Sequence, residues 1–420
     1  ETGANVTINT TAGDIVSRDG QGVYGVVLRE ARTNGNSDTT ITTGDVTAEG
    51  TAVLGGVNGT SETGANVTIN TTAGDIVSRT RRGIWAFVDS AVSTNGNSDI
   101  SITTGDVTAE QLAIFAEFSS GGYAKGSKKI TIDTTDGVVT SSESFGIGAL
   151  RGRGSGDITI TTADVNAVGR AISVFSNYGG SESNNVIVDT TAGTVTVRDV
   201  DSAAIDVVTN VVESYSGSTD MRIRTADVVG GVRFVNNSRA ELSADVVIDT
   251  TSGSVSVVEE SLGPNGISGR SYSITRQGSA NLTITTADVT SNSNAINVEN
   301  RSDSMGSANL TIDTLAGSIA STEGTGILVD NRRFGYRNTS LSGTTNLQIT
   351  TADVSGARDG IFAHNRGESA TGSNLIIDTR GGEVSGLDGA GIYAANSGSA
   401  SAGTTDLSLT VGNVIGSTNG

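Results

Sequence analysis

The chain lacks the residues that many enzymes and membrane proteins depend on. It has no cysteine, which excludes disulfides, thiol nucleophiles and Cys-ligated zinc together. A cysteine-free chain also suits a protein that crosses an oxidising compartment unfolded. One proline, Pro264, occurs in 420 residues, and aromatics make up only 4%. No run of eighteen apolar residues exists, so no helix is expected to span a membrane, and no basic-then-apolar signal peptide opens the chain. Basic residues are few. The net charge is -19, and the only lysines are Lys125, Lys128 and Lys129. An acidic surface of this kind repels phosphate backbones, so nucleic acid is not an expected partner. Helical periodicity is absent as well.

What fills the chain is one short unit, repeated. NVTINTTAGDIVS occurs at residues 5 to 17 and 66 to 78, inside identical blocks at 1 to 18 and 62 to 79. Relatives such as ITIDTTDGVVT, VIVDTTAGTVT and LIIDTRGGEVS alternate with a sister motif, as in ISITTGDVTA and LTITTADVT. Fourteen apolar anchors align the units: Ile8, Ile41, Ile69, Ile102, Ile132, Ile160, Val188, Ile223, Ile248, Ile284, Ile312, Ile349, Ile377 and Leu409. Their spacing of 25 to 37 residues marks a solenoid, in which each turn buries its apolar face only against its neighbours. The unbroken period predicts a single domain over 1-420, although length alone suggests several. Residue 1 is Glu inside a repeat, which reads as a segment of a longer repeat protein.

Each turn reads as three short strands. Around the anchor, apolar and polar residues alternate, as in Val6, Thr7, Ile8, Asn9 and Thr10. Two residues past the anchor stands an inward Thr in thirteen of fourteen turns, expected to pack its methyl inside and bond corner backbone with its hydroxyl. The next corner separates two unit types. One carries Gly13, Gly74, Gly137, Gly193, Gly253, Gly317 and Gly382, which suggests a position with positive φ. The other carries Asp45, Asp106, Asp164, Asp227, Asp288, Asp353 and Asn413, side chains that tolerate corners and can bond their own backbone. A third strand begins at an inward Ile or Val, with a small residue at the next inward place, as at Gly25, Ala86 and Ala363. The fold expected is all-β: a right-handed parallel β-helix of about 14 turns of roughly 30 residues. At about 4.8 Å per turn it would form a rod roughly 65 Å long.

The repeat style of ITTGDVTAEGTAVLGG and NTTAGDIVSRDGQGVYG resembles that of passenger regions of bacterial autotransporters, the type V secreted proteins. The resemblance covers essentially the whole chain. It implies an extracellular β-helix at the Gram-negative cell surface, serving as adhesin, stalk or carrier, with anchoring by a membrane barrel outside this sequence. No catalytic residue is carried over.

Chemistry is weighed separately. Outward aspartates at Asp133, Asp189, Asp249, Asp313 and Asp378 recur on alternate turns, about 9.6 Å apart, just beyond the separation of an inverting glycosidase pair. A catalytic pair should be singular, so these read as solvated charges that discourage lateral sheet growth. His364 has no obvious Ser or Cys partner, and no GGxGxDxUx calcium repeat is present. The reading is therefore non-enzymatic, with no catalytic, cofactor or metal residues assigned: an extracellular structural or adhesive solenoid. The alternative is a polysaccharide-binding or polysaccharide-cleaving protein on the same scaffold. Two associations are expected, end-to-end stacking of open turns and lateral docking. The lateral site is the outward column of the third strand, apolar at Tyr24, Leu54, Trp85 and Phe115, with Phe87 beside it, and again at Leu328, Phe362 and Tyr393. Its partner would be another copy of the chain, further repeats, or a cell-surface glycan or protein.

Overall fold

A computed structural model gives the fold. The structure describes residues 3–28, 32–58, 60–61, 63–89, 96–119, 126–177, 183–199, 201–214, 217–257, 265–303, 305–333 and 342–417. Pro264, Lys125 and the middles of most long return loops lie outside the described residues. Among those described there is no helix. The chain divides into two compact units. One comprises Glu1–Asp199 with Asp206–Tyr215, the other Val200–Ile205 with Ser216–Gly420.

Each unit is a three-sided parallel β-solenoid. In the N-terminal unit the first sheet runs through seven strands from Ala4–Thr10 to Val186–Thr190, and in the C-terminal unit through seven from Met221–Thr225 to Leu407–Thr410. Short second-sheet strands such as Ile76–Ser78 and third-sheet strands such as Ile84–Val88 complete each turn. The anchors stack in register, Ile8 on Ile41 on Ile69 and Ile102 on Ile132 on Ile160. The C-terminal unit continues the pattern with Ile223, Ile248, Ile284 and Ile312. Nearly all anchors are fully buried. The small residue of the third strand follows from their length: a Cβ on Gly55 would lie 3.2 Å from the Cδ1 atoms of both Ile41 and Ile69.

The inward threonines bond as pairs rather than as one continuous ladder. Thr71 and Thr104 share a 2.6 Å hydrogen bond, and Thr104 donates onward to the Gly105 carbonyl at 3.3 Å. Thr134, Thr162 and Ala163 repeat the arrangement, as do Thr250, Thr286 and Ala287.

At the corners the structure corrects the expectation for the glycines. None of the seven has positive φ; the described positive-φ glycines are Gly3, Gly64, Gly154, Gly156, Gly230 and Gly343. The requirement is space. A Cβ on Gly137 would sit 2.3 Å from the Gly105 carbonyl carbon and 2.7 Å from Asp106 Oδ1, and Gly74, Gly193, Gly253, Gly317 and Gly382 are equally crowded by the preceding turn. Gly13 alone meets nothing within 4 Å. The aspartates explain the crowding. Asp45, Asp106, Asp164, Asp227, Asp288 and Asp353 each accept a 2.7–2.8 Å hydrogen bond from the N–H of the residue after the next turn's glycine. The carboxylate thus bonds the following turn, not its own backbone, and the glycine gives it access.

Two further columns escape the sequence pattern. Where the first sheet begins in the C-terminal unit, Asp220, Asp245, Asn281, Asn309, Asn346 and Asn374 each cap the N–H one turn ahead. At the third inward place of the third strand, fully buried Asn300, Asn331 and Asn365 form an amide ladder. Each Nδ2 donates to the next turn's Oδ1, ending on Asn396, at 3.0–3.2 Å. The same amides donate to corner carbonyls, as Asn331 does to Ala308 and Asn346. In the N-terminal unit that place holds Val27, Val57, Val88 and Phe118.

Candidate functional site

The outward aspartates come first, because they are where an enzyme would show itself. Asp133, Asp189 and Asp249 each accept the N–H and the hydroxyl of the threonine two residues on, at 2.7–3.2 Å. Asp313 caps Leu315, and Asn9 and Asn70 cap Thr11 and Thr72. These are Asx turns that close the corner. At Asp378 the turn is completed by Arg380, whose guanidinium hydrogen-bonds the carboxylate and holds its pKa down to about 2. The same local cap, repeated from turn to turn, gives each of these aspartates a structural role. Replacing Asp249 with Asn should leave thermal stability unchanged, whereas Asp249→Ala should lower it by about 1 kcal/mol by removing the acceptor.

His364 does have a serine partner, contrary to the sequence reading: its Nε2 lies 3.1 Å from Ser397 Oγ. Burial and the nearby Arg366 and Arg332 lower the imidazole pKa, against the pull of Asp330. Asp330 itself is engaged by Arg366 through Nε at 3.2 Å and through Nη2, and by Arg332 at 2.5 Å. Among the described residues no carboxylate hydrogen-bonds the imidazole, since Asp330 is held by the two arginines. Among the described residues no group of three or more His, Asp or Glu could hold a metal ion.

The outer face of the third sheet gathers what remains, and its column is in register as expected. In the N-terminal unit Tyr24, Leu54, Trp85 and Phe115 are successive partners. Their exposure is uneven. Tyr24 is 53% exposed and Leu54 only 3%, enclosed despite its outward direction. Trp85, Phe87 and Phe115 are half-buried. The cover comes from a side chain of the same face. The Arg82 guanidinium lies 4.1 Å from the Trp85 ring centroid and 5.3 Å from that of Phe115. Trp85 Nε1 donates to Glu117 at 3.1 Å, and Phe87 closes on Trp85 at 5.2 Å while lying over Gly56. Burial lowers the Arg82 pKa and raises that of Glu117.

In the C-terminal unit the column runs Ser268, Asn297, Leu328, Phe362 and Tyr393. Phe362 and Tyr393 stack at 4.5 Å with 11° between planes, and Tyr393 is 46% exposed. Leu328 is half-buried beside them. The neighbouring outward columns are charged. Arg270, Glu299, Asp330 and His364 form one; Tyr272, Arg301, Arg332 and Arg366 form the next. Arg233, Ser268, Arg270, Asn297 and Glu299 line a shallow cleft of about 280 Å³. The arginine column was readable as a period five residues past the start of the third strand, a place the apolar pattern does not draw attention to.

These features define the class: a three-sided parallel β-solenoid with polar, hydrogen-bonded corners and, in each unit, a third-sheet outer face that bears aromatic side chains. Comparison with protein-family models, with curated proteins and with solved structures finds no match. No helix among the described residues is long and apolar enough to cross a membrane.

Proposed function

We propose that this solenoid is a structural and adhesive module of a bacterial cell-surface protein, exported and displayed outside the cell, and that it acts by binding rather than by catalysis. The observation that supports the reading is the division of labour among outward residues. On the first sheet the outward aspartates of alternate turns are engaged in Asx turns, whereas the third-sheet face presents Tyr24 and, in the C-terminal unit, a stacked Phe362–Tyr393 platform beside arginines. Aromatic and arginine side chains are the usual anchors of protein interfaces, so a second copy of the chain is the principal partner. Flat ring stacks flanked by arginine, asparagine and serine also suit glycans, and Phe362–Tyr393 favours that as the second reading.

The exposure pattern selects the test. A Tyr24→Ser, Tyr393→Ser double variant should lose self-association in sedimentation, or glycan retention on an array, at least tenfold, with unchanged thermal unfolding. Trp85→Ser should instead also cost about 1–2 kcal/mol, since its ring is half-buried under Arg82. Incubation with polysaccharides should release no reducing ends. Association unchanged in the tyrosine variant, or turnover of any polysaccharide, would sink the reading.

A further inference from the structure

The chain carries a net charge of -19, yet one patch of the C-terminal unit has the opposite sign. It occupies the two outward columns of the third sheet that run beside the Phe362–Tyr393 stack. There Arg270, Arg301, Arg332 and Arg366 face outward with Glu299 and Asp330, four cations against two carboxylates. Strand register places Arg301, Arg332 and Arg366 on three successive turns, so guanidinium groups recur about every 4.8 Å along one line.

The two carboxylates are divided among these arginines. Glu299 lies 3.6 Å from Arg301 and 3.5 Å from Arg332, while Asp330 is shared between Arg332 and Arg366. Arg270 is exposed and forms no ion pair with a carboxylate of the described residues. The stacked arginines keep 38%, 31% and 37% of their side-chain surface open, so the acids hold them in place without covering them. Like charges one turn apart repel, and further anions would relieve this. The surroundings are of a different kind. Tyr272 is 43% exposed, with the Arg301 guanidinium 5.7 Å from its ring centroid, and the Phe362–Tyr393 stack borders the same columns. Beside Arg270 the shallow cleft offers Ser268 and Asn297, which donate to and accept from hydroxyls.

We propose that this patch binds a linear polysaccharide of uronic acids, its carboxylates paired with the arginines and its sugar rings laid against Tyr272 and the Phe362–Tyr393 stack. Arginine meets a carboxylate through two parallel N–H bonds, so a polymer with evenly recurring carboxylates matches a line of evenly recurring guanidinium groups. An acidic peptide supplies the charge without the hydroxyl-bearing rings that the aromatic faces and the cleft accept. The inference rests on the reading of this face as a binding surface and adds the class of glycan. The two fail separately, because the tyrosine variant reads the surface and the comparison of acid with ester reads the carboxylate.

Calorimetric titration of the full chain with polygalacturonate and with its fully methyl-esterified form tests it. The two polymers share a backbone and differ in charge. The acid is expected to bind roughly tenfold more tightly than the ester, as charge-assisted hydrogen bonds to arginine require. The Arg270→Gln, Arg366→Gln double variant should lose most of that difference. Should it fail to fold, Arg270→Gln decides alone, since it breaks no ion pair of the described residues: a loss of about threefold in affinity for the acid supports the site. Equal binding of acid and ester, or unchanged binding by Arg270→Gln, overturns the proposal. Polyglutamate bound as tightly as polygalacturonate also overturns it, by showing that charge alone is read. Binding of neither polymer overturns it too, and leaves self-association through the face standing.

Discussion

An Asn331→Asp variant is expected to lose about 4 kcal/mol of stability, among the largest effects of any single change of nearly equal size in the chain. The native amide is fully buried and donates to the Ala308, Asn346 and Asn365 oxygens at 3.0–3.3 Å. An ionised aspartate offers only acceptors to those three acceptors, and a protonated one has a single O–H for them. If ionised, it also carries a charge with no cation in the ladder to meet it. Asn331→Ala should cost less, because it orphans the carbonyls without opposing them. Urea unfolding, with hydrogen exchange at Asn300 and Asn365 as a local readout, checks the order. A loss below about 1 kcal/mol for the aspartate would mean that the ladder contributes little.

The second large effect separates two explanations of the corner glycines. If conformational freedom alone were the requirement, alanine at Gly137 would cost no more than about 1 kcal/mol. The close approach of the preceding turn predicts otherwise. Gly137→Ala is expected to lose about 2–4 kcal/mol, since its Cβ would fall 2.3 Å from the Gly105 carbonyl carbon and against the Asp106 carboxylate. Gly105→Ala, whose Cβ would meet nothing closer than 3.8 Å, should stay within about 0.5–1 kcal/mol of the parent. Melting curves of the two variants give the answer directly, and equal losses would overturn the steric explanation.

These two cases mark where the sequence is informative. The anchors, the three strands per turn, the two alternating corners and the in-register outer column were all legible, because side-chain direction alternates along a strand and the repeat fixes which residues stack. The reason for each corner was not legible, since it lies in atoms of the turn before. Gly137 looks like a turn residue until Asp106 is seen behind it. The Asn331 ladder was missed because the third strand was read for only two inward places, and in the N-terminal unit the third place looks ordinary, with Val27, Val57 and Val88. For the candidate site, direction was legible and accessibility was not. Leu54 faces outward but is hemmed in by bulky neighbours, and Trp85 lies under an arginine three residues away. Such covering depends on rotamers, which a pattern of residue types does not encode.

The bond between an aspartate corner and the glycine corner after it has a bearing on how such a chain grows. One corner gives an acceptor and the other makes room, so the order of turns has a grammar. Excising a single turn would set two carboxylates, or two unfilled glycine corners, against each other; excising two neighbours would leave every junction as it was. Only a change by whole pairs of turns therefore leaves every corner matched. The identical blocks that begin at residues 1 and 62 lie 61 residues apart, the length of one such pair, so the sequence repeats itself most closely at the spacing that the corner bonds require.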